Sequence, residues 1–327
     1  MKSYLSIDGG GTKTAILLTD IEGHTLGDIV LGGCAYPQIG MDGLYKLLDS
    51  GISKLLSQAG VEKNHVISSS WGIPCFGENY EADEEIKNIA EAIIPDSPKY
   101  IGNDVEVGHA GSLALKPGIH MVAGTGAIGF GKNSKGETAR SNGAHEDFSD
   151  EGSAYWLGNE TLRLFVKQAD GREPKGPLYN IIKEDFSLKR DMDIVEYYNN
   201  NLVGKRSSIS KIQILLYEAA IKGDTLAINA YNRAAYELYL TIKSLYYKLC
   251  FNNESCTYVS YFGGVYKAGK LILDPLSGYL SNLSVSLNPP ILTPTSGGIL
   301  LAAQKAGSAI LDDIIVKRKA EESSVSG

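Results

Sequence analysis

The chain opens with Ser3-Tyr4-Leu5-Ser6-Ile7-Asp8-Gly9-Gly10-Gly11-Thr12-Lys13-Thr14. The apolar residues before Asp8 predict a buried strand that ends in a carboxylate followed by three glycines. Glycine lets the backbone adopt positive φ, so that successive N–H groups can line a concave surface that binds anions. The stretch therefore predicts a phosphate-binding turn, and a tight hairpin without a ligand is the alternative.

The residues around the glycines suit phosphate and a metal ion. Thr12 and Lys13 add a hydroxyl group and a cation, and Asp8 could hold Mg²⁺, which prefers a carboxylate together with water and phosphate oxygens. The next residues, Ala15-Ile16-Leu17-Leu18-Thr19-Asp20, predict a second strand. Dinucleotide-binding fingerprints and Walker loops both require a helix at this point, so the sequence argues against both.

The composition is that of an ordinary soluble protein, with 327 residues, 43% of them hydrophobic, and a net charge of −7. A chain of this length can form two domains with their own cores. The acidic balance argues against binding to nucleic acid or to an anionic membrane, and no signal peptide or membrane-spanning apolar run is visible. Four cysteines fit neither a disulfide framework nor a zinc site, which predicts a cytoplasmic protein with free thiols; they are Cys34, Cys75, Cys250 and Cys256.

A strand followed by a glycine-rich loop and a hairpin occurs a second time. His120-Met121-Val122-Ala123 predicts the strand, and Gly124-Thr125-Gly126-Ala127 forms the loop. The two loops begin about 115 residues apart, which is too long for a solenoid repeat. Duplication of a domain that presents a phosphate loop explains the pattern. Two such lobes facing each other would clamp a polyphosphate from both ends.

Helical patterns dominate the second half of the chain. Residues 225–249 predict a long helix with Asp224 as its N-cap. A strand over 258–262 ends in Gly263-Gly264-Val265, and Ser296-Gly297-Gly298 opens a closing helix. The basic and serine-rich end predicts a frayed, solvated tail.

These motifs, in this order, resemble the sugar kinase, Hsp70 and actin superfamily, and within it the N-acetylglucosamine kinase and BadF/BadG/BcrA/BcrD ATPase family. Asp8 to Thr14 looks like the first phosphate motif of the family, and Gly124 to Ala127 like the second. The most specific likeness is Asp150-Glu151-Gly152-Ser153-Ala154-Tyr155-Trp156. Phe262-Gly263-Gly264-Val265 resembles the adenosine motif, and Ser296-Gly297-Gly298 the second interdomain connection. The likeness covers nearly the whole chain.

The resemblance implies an α/β fold with two ribonuclease H-like (actin-like ATPase) lobes, an interdomain cleft and a more helical second lobe. We expect the N-terminal lobe at residues 1–118, the C-terminal lobe at 119–316 and a flexible tail at 317–327. Packing of the last helix against the first lobe is compatible with these boundaries.

The resemblance also implies roles for individual residues. Asp104 would be the catalytic base that accepts the proton of a sugar hydroxyl, with capping of the helix that follows as the alternative. Asp8 would hold Mg²⁺. ATP would bind Gly10, Gly11, Thr12, Lys13, Thr125, Gly126, Gly263 and Gly264. The sugar would bind Tyr36, Asp104, Thr125, His145 and Asp150, and a helix N-cap is the alternative for the last of these.

Two positions of the implied sugar pocket depart from the pattern of the family. Acetylglucosamine kinases tend to have an asparagine where Tyr36 stands, and Gly-Trp-Gly where this chain has Gly143-Ala144-His145. One hypothesis is an enlarged pocket that admits the 3-O-lactyl group of N-acetylmuramic acid as well as N-acetylglucosamine.

The activity that the resemblance implies is a sugar kinase. It would use ATP and Mg²⁺ to phosphorylate the 6-hydroxyl of an N-acetylated amino sugar in cell-wall (peptidoglycan recycling) or chitin sugar salvage, as a homodimer. One alternative is an activator ATPase with an iron–sulfur cluster, but the cysteines show no cluster motif. The other is a non-catalytic ATP or sugar sensor, which the presence of Asp104 disfavours.

Overall fold

The computed structural model describes residues 1–325. Its strands are β1 (Ser3–Gly9), β2 (Lys13–Asp20), β3 (Thr25–Gly32), β4 (Val66–Gly72), β5 (Lys99–Gly102), β6 (Gly118–Ala123), β7 (Ala127–Lys132), β8 (Thr138–Ser141), β9 (Thr257–Phe262) and β10 (Val285–Asn288). Its α-helices are α1 (Tyr36–Ala59), α2 (Tyr80–Ile93), α3 (Asp104–Ser112), α4 (Ala154–Ala169), α5 (Pro177–Asp185), α6 (Asp193–Asn201), α7 (Arg206–Ile221), α8 (Thr225–Lys248), α9 (Lys270–Leu280), α10 (Pro294–Lys305) and α11 (Leu311–Val325). Within this range no helix combines the length and apolar composition that a membrane span requires.

The chain divides into two compact units, each of which has its own five-stranded sheet. The first unit contains residues 1–120 together with the segment from 289 onward, and the second contains residues 121–288. The expected boundary after residue 118 lies two residues from the division at 120. The segment from 289 onward packs with the first unit, whereas the sequence-based boundaries placed residues up to 316 in the second lobe and allowed only the last helix to pack on the first.

The sheet of the first unit is mixed and has the order β3-β2-β1-β4-β5. Strands β1, β2 and β3 are antiparallel neighbours, and β4 and β5 run parallel to β1. The glycine turn is short, so it can only return the chain as an antiparallel hairpin, whereas the parallel strands need the crossover helices α1 and α2. The carboxyl ends of β1, β4 and β5 therefore lie at one edge.

Side-chain alternation along β1 serves both faces of this sheet. Leu5 and Ile7 join a core with the apolar stripes of α1 and α2, in which Leu48, Ile52 and Ile93 are fully buried. Tyr4 joins the opposite core with α10 and α11. Each fully buried aliphatic side chain of this kind contributes about 1.5–3 kcal/mol to folding.

Helix α10 lies unusually close to the sheet of the first unit, which explains where the segment from 289 packs. A Cβ atom on Gly298 would overlap Oγ of Ser6 and lie 3.3 Å from Oγ of Ser70. A Cβ atom on Gly297 would overlap the backbone of Gly111 in α3. The glycine pair thus lets α10 contact β1, β4 and α3 directly.

The sequence predicts a flexible tail from residue 317, but in the structure this part of the chain belongs to helix α11. The side chain of Arg318 is buried, and it donates hydrogen bonds to Oγ of Ser296 (2.9 Å) and Oγ1 of Thr25 (2.7 Å). Glu322 in turn accepts from Oγ1 of Thr293 (2.6 Å). The basic run therefore anchors a helix of the first unit, and the last two residues of the predicted tail lie outside the described residues.

The sheet of the second unit has the order β10-β9-β6-β7-β8 and is also mixed. Its long helix, α8, begins as predicted, because Oδ1 of Asp224 accepts from the backbone N–H groups of Leu226 (3.0 Å) and Ala227 (3.1 Å). Tyr231 and Leu238 of α8 are fully buried. In this unit too, a glycine loop separates the strand β6 from the hairpin β7–β8.

Candidate active site

The first glycine turn joins β1 to β2 and consists of Gly10, Gly11 and Thr12. The carbonyl oxygen of Gly10 accepts from the N–H of Cys34 (3.0 Å), which ties the turn to the loop after β3. Within residues 1–325, the N–H groups of Gly11 and Thr12 have no acceptor and both residues reach solvent, whereas the N–H of Gly10 is directed at the Cys34 thiol. The turn therefore has the free donors that a phosphate group requires.

Two glycines are needed for the shape of this turn. A Cβ atom on Gly9 would overlap Sγ of Cys34 and lie 2.8 Å from the carbonyl oxygen of Gly72. A Cβ atom on Gly33 would overlap the carbonyl oxygen of Gly11. Burial raises the pKa of Cys34 to about 11, so this cysteine is a neutral packing group beneath the turn.

Asp8 and Asp104 lie at the same edge of the first sheet. Asp8 pairs with Gly72 of β4, which pairs with Gly102 of β5, and Asp104 follows two residues later as the first residue of α3. Burial and, as a smaller effect, repulsion from Asp104 together raise the pKa of Asp8 to about 7, against the opposing effect of Lys13. The predicted metal ligand, catalytic base and phosphate-binding lysine are thus brought together.

The residue before Asp104 caps the helix α3, although capping was the alternative role for Asp104. Asn103 is the N-cap of α3 and forms a capping box with Glu106, whose Oε1 accepts from the Asn103 N–H (3.1 Å). Oδ1 of Asp104 also accepts from the N–H of Val105 (2.9 Å). The helix is capped without Asp104, and the local hydrogen bond fixes the carboxylate at the edge of the sheet.

Tyr36 is the first residue of α1. Pro37 suits the first turn, and Gly40 has non-helical angles (φ 72°, ψ 166°) that separate this turn from the rest of α1. Burial raises the pKa of Tyr36, and Cys75 and Glu78 of the loop after β4 add to the shift. Tyr36 therefore lies near the carboxyl end of β4, in the same unit as Asp8.

The N-terminus of α4 holds the second glycine loop by backbone hydrogen bonds. The carbonyl oxygens of Gly124 and Thr125 accept from the N–H groups of Ala154 (2.8 Å) and Tyr155 (3.2 Å). The N–H groups of Thr125 and Gly126 have no acceptor among residues 1–325. This loop therefore also presents donors, and α4 orients it.

Asp150 supports the second glycine loop with both carboxylate oxygens. Oδ1 accepts from the N–H of Ala127 (3.0 Å), and Oδ2 accepts from the guanidinium of Arg206. Its side chain is only 5% exposed, and its φ of 65° is unusual for a residue other than glycine. Ser153 is the N-cap of α4, so Asp150 does not cap this helix. Asp150 instead bridges the N–H of Ala127 and the guanidinium of Arg206.

Asn142 fixes the loop that leads to Asp150. Its Oδ1 accepts from the N–H of Gly143 (2.7 Å), from Oγ of Ser149 (2.7 Å) and from the N–H of Asp150 (2.8 Å). His145 lies in this loop, half exposed and stacked on the ring of Phe148 with 5.2 Å between centroids.

The predicted adenosine motif lies against the second glycine loop. Gly263 has a φ of 120°, and a Cβ atom there would overlap the carbonyl oxygen of Ala123 and lie 2.9 Å from the N–H of Gly124. Gly264 has open space on its Cβ side. The second unit thus brings Thr125, Gly126 and the glycine pair together.

A family model described as the BadF/BadG/BcrA/BcrD ATPase family matches residues 5–286. The chain belongs to this family.

Individual proteins similar to this BadF-family chain include curated kinases and a solved structure. An N-acetylmuramic acid/N-acetylglucosamine kinase of Clostridium acetobutylicum is 28% identical over 286 residues, 86% of this chain and 91% of the relative. An N-acetyl-D-glucosamine kinase of Dictyostelium discoideum is 27% identical over 282 residues, 84% of this chain and 88% of the relative. A Chromobacterium violaceum structure assigned to the N-acetylglucosamine kinases has a TM-score of 0.72 at 21% identity, covering 92% of this chain and 99% of that chain. The predicted two-lobed, actin-like ATPase fold class is confirmed.

The chemistry of the first unit in this BadF-family protein fits Mg²⁺. Residues 1–325 contain no cluster of three or more His, Cys, Asp or Glu side chains around a potential metal position. Mg²⁺ does not need one, because it binds through one or two carboxylates together with water and phosphate oxygens. Two carboxylates that repel each other, Asp8 and Asp104, are a donor set whose repulsion a divalent cation relieves.

Three of four supporting residues have no sequence signal that would single them out as functional. Cys34 and Asn142 act through backbone contacts, and Arg206 is 56 positions from its partner Asp150. Asn103 is the exception, because Asn followed three residues later by Glu is a typical helix start.

Proposed function

We propose that this ATPase-family protein is a kinase that transfers the γ-phosphoryl group of ATP to the 6-hydroxyl of an N-acetylated amino sugar. N-acetylglucosamine and N-acetylmuramic acid are the proposed substrates. The observation that carries the proposal is the Asp8–Asp104 carboxylate pair beside the first glycine turn. The curated relatives are amino-sugar kinases, and this chain matches them over most of their length, which supports the choice of acceptor.

Phosphoryl transfer needs positioning and charge neutralisation more than covalent chemistry. In the proposal, the turn of Gly10, Gly11 and Thr12 binds phosphate oxygens through the N–H groups of Gly11 and Thr12, together with the cation of Lys13. Thr125 and Gly126 of the other glycine loop bind further phosphate oxygens, and Gly263 and Gly264 accommodate the adenosine. Mg²⁺, when bound at Asp8, would neutralise charge on the phosphates.

Asp104 is the proposed general base. Its carboxylate would accept the proton of the sugar 6-hydroxyl as the oxygen of that hydroxyl forms a bond to the γ-phosphorus. The bond from the γ-phosphorus to the bridging oxygen of ADP breaks in the same step. The hydrogen bond from the N–H of Val105 to Oδ1 holds the carboxylate of the proposed base in place.

The sugar is proposed to contact Tyr36, Thr125, His145 and Asp150 in addition to Asp104. Tyr36 and the Gly143-Ala144-His145 segment replace the asparagine and Gly-Trp-Gly typical of acetylglucosamine kinases, which supports a pocket of different shape. Asp150 keeps lone pairs for a sugar hydroxyl besides its bonds to Ala127 and Arg206, because a carboxylate accepts about four hydrogen bonds.

We further propose a cytoplasmic homodimer that acts in peptidoglycan recycling or chitin sugar salvage. The acidic composition and the few cysteines support the compartment. The family resemblance supports the dimer, and light scattering of the purified protein tests it.

The structure gives little support to the activator alternative. Residues 1–325 contain no group of three or more His, Cys, Asp or Glu side chains that could hold a metal ion. Cys34 is fully buried, and burial raises the pKa of its thiol, which disfavours the thiolate that an iron–sulfur cluster needs.

A coupled assay of ADP release tests the proposed function. Purified protein with Mg²⁺ and ATP is given N-acetylglucosamine, N-acetylmuramic acid, glucosamine or no sugar. We expect sugar-dependent ADP release with at least one of the two N-acetylated sugars. ADP release that is the same with and without every sugar would contradict the proposal and favour the activator or sensor alternatives.

A further inference from the structure

A cluster of three charged side chains lies beside the second glycine loop. The guanidinium of Arg206 donates to Oδ2 of Asp150, and its Nη1 lies 3.6 Å from Oε2 of Glu146. Asp150 is buried at the base of the cluster, whereas the side chains of Arg206 and Glu146 are 37% and 30% exposed. Arg206 and Glu146 are therefore the more exposed part of the cluster.

The cluster touches the backbone of the glycine loop. A Cβ atom on Gly126 would lie 2.6 Å from Nη2 of Arg206 and 2.9 Å from both carboxylate oxygens of Asp150. The same Asp150 binds the N–H of Ala127. A molecule bound at this loop is therefore within reach of the electric field of Arg206 and Glu146.

The cluster carries a net charge of −1. One positive charge on Arg206 faces two carboxylates, and its stronger contact is with Asp150. The same loop also carries Glu151 and Asp147, and the Asp147 side chain is 74% exposed and lies 3.7 Å from His145. Of the two carboxylates that face Arg206, Glu146 has the longer contact, so its negative charge is the less compensated one.

Amino sugars differ in charge at the ring substituents. N-acetylglucosamine is neutral, N-acetylmuramic acid carries a carboxylate on its lactyl group, and glucosamine carries an ammonium group. A fixed charge within several Å changes the binding free energy of such groups by amounts that decide specificity.

We propose that Glu146, paired with Arg206, selects the sugar substrate by charge, disfavouring sugars with a carboxylate and favouring neutral or cationic ones. The inference rests on the proposed sugar kinase function and specifies its substrate preference. An acidic sugar has to displace Glu146 from Arg206 or bind beside an uncompensated carboxylate. A neutral acetamido sugar has neither cost.

A substitution that removes the charge of Glu146 but keeps the shape of its side chain tests this inference. In Glu146→Gln, the ratio of kcat/KM for N-acetylmuramic acid to kcat/KM for N-acetylglucosamine should rise by about threefold to tenfold. The ratio for glucosamine to N-acetylglucosamine should fall by a similar factor. Glu146→Ala removes the same charge and should shift both ratios in the same directions. Asp147→Asn, one residue away and turned to solvent, is the matched control and should leave both ratios within about twofold.

Equilibrium binding of the three sugars, followed by ligand-observed NMR without ATP, separates this inference from the proposed function. If the sugars bind and are phosphorylated but both ratios stay the same in Glu146→Gln, charge selection is wrong and the kinase assignment stands. If none of the three sugars binds to the wild type or to the variants, both proposals fail. Equal ratio shifts in Glu146→Gln and Asp147→Asn would also overturn the role of Glu146.

Discussion

Asp104 raises the pKa of Asp8, because Asp8 on β1 and Asp104 at the start of α3, just after β5, lie at one edge of the first sheet. Repulsion of this kind is unfavourable for an isolated protein, and it is relieved when a cation or a proton arrives. The pair therefore gives the first unit a place for Mg²⁺ and a proton acceptor side by side.

Asp104→Asn should lower kcat by about a hundredfold to ten-thousandfold, because the amide cannot accept the hydroxyl proton. ATP and sugar binding, measured by calorimetry, should be largely retained. Asp96→Asn makes the same chemical change at an exposed position of the first unit and is the control. Near-normal turnover in Asp104→Asn would remove Asp104 from the role of base.

Asp8→Asn should raise the Mg²⁺ concentration needed for half-maximal turnover by about 10–100-fold, because loss of the carboxylate weakens the hold on the hydrated ion. The measurement is initial rate against free Mg²⁺ at saturating ATP. Glu22→Gln, which removes an exposed carboxylate from the β2–β3 turn, should leave this value unchanged. An unchanged Mg²⁺ requirement in Asp8→Asn would contradict the assignment.

Gly126→Ala should disturb the second glycine loop through its support. The new methyl group would lie 2.6 Å from Nη2 of Arg206 and 2.9 Å from the oxygens of Asp150, so this ion pair has to move. We expect a loss of about 1–3 kcal/mol in the free energy of unfolding and a higher KM for ATP. Gly278→Ala adds a methyl group in open space on α9 and should be neutral or slightly stabilising. Equal behaviour of the two variants would show that the support of the loop is not required.

Two buried groups should act on pH-dependent stability in opposite directions. Burial, with a smaller effect from His109, lowers the pKa of His120 to about 3, so the unfolded chain binds this proton first as the pH falls below about 6.5. His120 therefore costs stability on acidification, by up to about 1.4 kcal/mol per pH unit. The pKa of Asp8 is raised to about 7, so the folded protein binds that proton first, and Asp8 favours the folded state as the pH falls.

Urea unfolding between pH 7 and pH 5, without Mg²⁺, separates these two contributions. Relative to the wild type, Asp8→Asn should lose more stability on acidification, because only the His120 effect remains. His120→Asn should lose less, or gain. His24→Gln replaces an exposed histidine and is the control. Parallel pH profiles for the wild type and both buried variants would contradict the assignment of these pKa values.

Local features of the fold could be predicted from the sequence because short-range chemistry decides them. The glycine turn between β1 and β2 follows from three consecutive glycines at the end of an apolar run. The start of α8 follows from Asp224, whose side chain binds the first free N–H groups of the helix.

Long-range packing could not be predicted in the same way. The position of α10 depends on a fit between Gly298 and Ser6, which are almost three hundred residues apart, although two adjacent glycines inside a helix do indicate close packing. Arg318 looked like part of a solvated basic tail, and only the fold shows that Ser296 and Thr25 surround it.

The same limit applies to the candidate site. Asp8, Asp104 and Asp150 carry signals because each stands at a strand or helix end beside glycines. Arg206 begins a helix in a stretch with no motif, and its position beneath Gly126 depends on how α7 packs against α4.

The position of the transferred phosphate tests the central claim most directly. Wild-type protein is incubated with Mg²⁺, ATP and ¹³C-labelled N-acetylglucosamine or N-acetylmuramic acid, and the product is analysed by ¹³C and ³¹P NMR. We predict a phosphate monoester on O6, seen as phosphorus coupling to C6 and formed together with one ADP per sugar. ATP consumed with only inorganic phosphate formed, or a phosphate on another sugar oxygen, would contradict the proposed function.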